Sequence, residues 1–139
     1  MKTIFYYAYV GDTSTSPDVL QWRLKYIDEQ MEFISQLAKR NNINSLFVVA
    51  TMPEESDNAF IKIATKHNFC LYTKLVSREN CYEYPGFSAI RDFADSAHPE
   101  HLIYYCHSKG SVNVSDRARG VFKYHQVINI NNDITDILN

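Results

Sequence analysis

His107, Ser108, Lys109 and Gly110 close an apolar run, HLIYYC, and each of the four brings a different chemical capacity. Lys109 is a compact positive charge suited to a diphosphate or carboxylate. Ser108 offers a hydroxyl, and Gly110 lets a ligand approach the backbone closely. His107 can hydrogen-bond an anionic oxygen or exchange a proton near neutral pH. The same quartet also fits a strand running out into a solvated loop, with His107 bonded to a loop carbonyl.

Further candidates lie on either side. Asp116, Arg117 and Arg119 follow the quartet. The planar fork of Arg117 suits phosphate, and Asp116 can orient it or hold a metal or sugar hydroxyl; a solvated pair at a helix start is the plainer reading. Asp12 and Thr13, after the first apolar run, could contact a base or ribose, or simply form a turn and cap. Glu83, in CYEYPGF, could reach a site or stay an exposed loop carboxylate. Cys106 adjoins His107, but neighbouring strand residues point to opposite faces, which works against a thiolate–imidazolium couple. His107 and Asp116 are therefore the catalytic candidates. Asp12, Glu83, Ser108, Lys109, Gly110 and Arg117 are the substrate-binding ones.

Several chemistries lack their residues. Neither G-x-x-x-x-G-K-[ST] nor G-x-G-x-x-G occurs, so a Walker loop and a dinucleotide fingerprint have no support. The three cysteines (Cys70, Cys81, Cys106) and five histidines show no zinc spacing, and an odd cysteine count suits reduced thiols in a cytoplasm-like compartment. A net charge of −2 with no basic block disfavours sequence-independent nucleic-acid binding. The apolar stretch from Ile4 to Val10 is too short to span a bilayer and lacks the features of a signal peptide.

These residues need elements to hold them. The length of 139 residues fits one domain spanning 1–139. Lys2 to Val10 reads as a buried strand stopped by Gly11-Asp12. Ser16 as N-cap, Pro17 at the first helical position and Asp18 then start a helix running to about Asn41. Its apolar stripe is Leu20, Leu24, Ile27, Met31, Ile34, Leu37 and Ala38. Ser45 to Thr51 is a second strand, Glu55 to Asn68 a second helix and Phe69 to Val76 a third strand. RENCYEYPG reads as a loop, Phe87 to Ala97 as a third helix and HLIYYCHSKG as a fourth strand. The stretch DRARGVFKYHQVINI fits either a helix interrupted by glycine or a loop with a short helix. Alternating strands and helices predict an α/β domain with a mainly parallel sheet of four or more strands. In such sheets ligands bind beyond the carboxyl ends of the strands, where the strand order reverses. The ends of the first and fourth strands would share that rim.

The stretch YEYPGFSAIRDFADSAHPEHLIYYCHSKGSVN resembles the core of a group of glycosyltransferase-like proteins from bacteria and large viruses. Those carry a Y-E-x-P segment, a helix and an apolar strand ending in H-[ST]-K-G. A weaker resemblance reaches the N-terminal strand and the long helix with Trp22. It implies a Rossmann-like, GT-A-like three-layer α/β/α domain, with His107 to Gly110 at the donor side and a nucleotide-sugar or other phosphorylated ligand as partner. The group often continues with Asp-Trp-Arg, whereas this chain has Ser115-Asp116-Arg117. Transferases of this type hold Mn²⁺ or Mg²⁺ on an Asp-x-Asp pair after an inner strand. No such pair occurs here; Asp133 and Asp136 are spaced by three. A complete transferase also adds an acceptor-binding half, so the chain corresponds to a minimal nucleotide-sugar-binding half. The alternative is a non-catalytic binding or assembly domain on the same scaffold.

Overall fold

The computed structural model describes residues 1–76 and 83–108. Strand β1 (Lys2–Tyr9) leads through a turn into helix α1 (Pro17–Arg40), followed by β2 (Ser45–Thr51). A 3₁₀ turn (Glu54–Ser56) opens directly into α2 (Asp57–Lys66), then come β3 (Cys70–Leu75), α3 (Tyr84–Ser96) and β4 (Leu102–His107). All four described strands are parallel, in the order β3-β2-β1-β4. The expected α/β class and parallel sheet are what the chain adopts, in a Rossmann-like arrangement.

The pleat of β1 explains the layers. Ile4, Tyr6, Ala8 and Val10 alternate onto one face and pack under α1 and α2 with Ile27, Met31, Ile34 and Phe60. Phe5, Tyr7 and Tyr9 point to the other face and pack under α3 with Ala89, Ile90 and Phe93. A strand buried on both faces reads as an unbroken apolar run, as this one does.

Local chemistry sets the helix ends. Ser16 caps α1, its Oγ accepting from the Val19 N–H at 3.4 Å, and Pro17 opens the first turn. Asn42 and Asn68, just past α1 and α2, take positive φ values of 56° and 63°, which asparagine tolerates better than most residues. The helices cross-link where Asp28 of α1 meets Lys66 at 2.8 Å and His67 at 2.6 Å.

One boundary differs from expectation. Pro85-Gly86 does not form a turn before the third helix but lies inside its first turn, and Tyr84 begins the helix. Proline needs no N–H there. A Cβ at position 86 would sit 3.0 Å from Tyr7 Cβ and 3.1 Å from Tyr105 Oη, so glycine lets α3 press onto β1 and β4. The alternative readings of DRARGVFKYHQVINI lie outside the described residues.

Candidate functional site

Three strands run outward in chain order from β1 to β3, and β4 then pairs on the opposite side of β1. The strand order therefore reverses between β1 and β4, and the expected switch point is at that junction. Tyr7 is in register with His107, so the end of β4 lies beside the end of β1.

Ser108 joins the two strand ends. Its N–H donates to the Tyr7 carbonyl at 2.8 Å, and its Oγ accepts from the Tyr9 N–H at 2.9 Å. The residue is buried. Its hydroxyl extends the β1–β4 pairing by one step beyond the regular ladder.

Asp12 organises the turn after β1. Its Oδ1 accepts from the Ser14 N–H at 2.9 Å and from the Ser14 hydroxyl at 2.5 Å, while Oδ2 accepts from the Tyr9 hydroxyl at 3.1 Å. This is an Asx turn, in which a carboxylate takes a backbone N–H two residues on. The Ser14 hydroxyl contributes most to holding the Asp12 carboxyl below its usual range, and the Ser14 N–H, Tyr9 and Thr15 add to it. Arg23 of α1 lies 5.1 Å from the centre of the Tyr9 ring and donates to the Val10 carbonyl at 3.2 Å. Burial foremost, then the Asp12 carboxylate, raises the Tyr9 phenol, keeping it a hydrogen-bond donor.

On the α3 side, His107 and Tyr105 share a face of β4, with rings stacked at 6.3 Å and an interplanar angle of 10°. Glu83 precedes the first turn of α3. Its Oε1 accepts from the Tyr105 hydroxyl at 2.8 Å and lies 3.8 Å from His107 Nδ1. Burial, followed by the bond to Glu83, pushes the Tyr105 phenol well up, so it stays protonated. Cys106 faces the other way into the core, and burial pushes its thiol up to about 12. It is no thiolate partner for His107.

Of the sequence candidates, the structure brings Glu83 and His107 together, and Ser108 and Asp12 both touch Tyr9. Lys109, Gly110, Asp116, Arg117 and Arg119 lie outside the described residues, as do Cys81, Tyr82, Asp133 and Asp136. Sequence reasoning missed Tyr105 and Arg23. The strand period of two sets Tyr105 beside His107. Arg23 falls within the apolar stripe of α1, three residues after Leu20 and four before Ile27, and a charge at such a position is a signal.

Asp12 has both oxygens engaged, and among the described residues no group of three His, Cys, Asp or Glu side chains is placed to hold a metal ion. The described residues do not fit a divalent cation. A cavity of about 440 Å³ lined by Phe93, His98 and His101 opens at the other end of the sheet, away from these side chains. There His101 Nε2 is tied to Thr3 Oγ1 at 2.7 Å. No helix among the described residues is long and apolar enough to cross a membrane.

A family model described as Domain of unknown function (DUF8361) matches residues 5–127. No curated protein and no solved structure matches the chain.

Proposed function

We propose that this chain, which belongs to the family described as Domain of unknown function (DUF8361), is a glycosyltransferase-like domain that binds a nucleotide-sugar or another phosphorylated small molecule at the ends of β1 and β4. The observation that carries the reading is the reversal of strand order at β1, with His107 at its rim and Lys109-Gly110 next in the chain. Lys109 and Arg117 supply the positive charge that a departing diphosphate needs, and Gly110 lets the phosphate approach the backbone. Asp116 is the catalytic candidate next to Arg117 in the chain. No step is routed through a metal.

A second reading, a binding or assembly domain without chemistry, is favoured by Asp12 and Ser108. Both hold the backbone of the rim with the oxygens that a substrate would contact. Calorimetry with UDP, GDP and their sugars, with and without Mn²⁺, separates the two. The transferase reading expects at least one saturable isotherm with a nucleoside diphosphate or its sugar. Silence across the panel removes it and leaves the assembly reading.

A further inference from the structure

The cavity of about 440 Å³ at the amino end of the sheet takes no part in the reading above. Its wall is built by the end of α3 and the turn that follows, with Phe93, Ser96, Ala97, His98, Glu100 and His101. A volume of that size suits an organic small molecule rather than a lone ion.

The hydrogen bonds of the wall decide which polar groups remain for a ligand. The His101 N–H closes the turn on the His98 carbonyl at 2.9 Å, and His98 Nδ1 accepts the Glu100 N–H at 3.2 Å. Thr3 Oγ1 donates to Ser45 Oγ at 3.1 Å, so it accepts from His101 Nε2 at 2.7 Å. The neutral His101 ring then keeps Nδ1 as an acceptor. At the end of α3 the Phe93 carbonyl takes the Ser96 hydroxyl and the Ala94 carbonyl takes the Ala97 N–H, both at 3.2 Å. The Asp95 and Ser96 carbonyls are left at the negative end of the helix dipole, and the last turn holds no basic residue to offset it. The Glu100 carboxylate is exposed and enters no ion pair among the described residues. Against these acceptors stands a single kind of donor, the Nε2–H of the neutral His98 ring.

We propose that this cavity binds a small organic ammonium ion with an apolar body. The ammonium carries hydrogen-bond donors and no acceptor, which matches Glu100 and the carbonyl end of α3. The apolar body lies against Ala97 and the ring of Phe93, which stands edge-on to the His101 ring at 5.3 Å and 86°. Aromatic rings add attraction for a cation near their faces. Among the described residues no three His, Cys, Asp or Glu side chains are placed for a metal ion, so the cation is an organic one. The length of β1 separates this site from the rim, and the proposal stands or falls independently of the transferase reading.

Nitrogen-15 NMR of the labelled full chain, titrated with phenethylammonium, tests the site. Saturable shifts should appear at Ala97, His98, Glu100 and His101. Phenethyl alcohol, with the same ring and no charge, and hydrocinnamate, with the opposite charge, should each bind more weakly by about threefold or more, the scale of an exposed ion pair. Glu100→Gln removes the charge from an exposed side chain and spares the fold. It should weaken phenethylammonium by about the same factor and reduce the salt dependence of its binding. No saturation by about ten millimolar, equal or tighter binding of the alcohol or hydrocinnamate, or unchanged affinity in Glu100→Gln would each overturn the proposal.

Discussion

At the scale of single residues, the four members of the His-Ser-Lys-Gly quartet divide their labour. Ser108 has a structural part: its hydroxyl takes the Tyr9 N–H in a buried setting, and removing it leaves that donor without this partner. Ser108→Ala should cost about 1–3 kcal/mol, read as a lower midpoint in urea at unchanged slope. Lys109 carries the ligand charge in our reading. Lys109→Ala should weaken nucleotide affinity by about tenfold or more in calorimetry, the scale of one charged hydrogen bond, with stability held. The contrast between the two variants was not legible in the sequence. A serine hydroxyl at a strand end looks equally ready for a ligand or a neighbouring strand, and only the 99-residue separation between Tyr9 and Ser108 closing into a contact shows the second. The pairing of Glu83 with Tyr105 was hidden for the same reason, the two being 22 positions apart and joined by the packing of α3.

At the scale of elements, the strands and α1 were legible because their signals are local. Ser16-Pro17-Asp18 starts the helix, and the apolar run of β1 marks a strand covered on both faces. The start of α3 was not, because Pro-Gly is turn chemistry in isolation and first-turn chemistry when a helix must lie close on a sheet. Gly86 is the test. Alanine gains up to about 1 kcal/mol in helix propensity, but its Cβ meets the Cβ of Tyr7 in the central strand, which cannot swing aside. Overpacking of that kind costs about 1–3 kcal/mol. Gly86→Ala should therefore destabilise on balance, read as a lower midpoint in urea at unchanged slope.

At the scale of the whole molecule, cooperative unfolding ties its pH dependence to carboxylates such as Asp28. Partial burial opposes ionisation there, but hydrogen bonds from Lys66 and His67 outweigh it and hold the Asp28 carboxyl below its ordinary value. A carboxyl depressed in the folded state adds stability above the unfolded-state value near pH 4, lost as pH falls through the folded-state value. Asp28→Asn should flatten that acid limb of the stability–pH curve, measured by thermal melts between about pH 2 and 5. The order of the sheet has a further consequence, for the timing of assembly. Thr3 pairs with Ser45 across 42 positions, whereas Lys2 must find Leu102 across 100. Closing the longer loop costs more chain entropy, and of the described strands β4 is the last to leave a ribosome. The sheet can grow from β1 to β3 while the inner edge of β1 still waits for its partner. Among the described strands the rim is thus completed last, and a nascent chain carries the β1–β3 part of its core before it carries the β1–β4 junction.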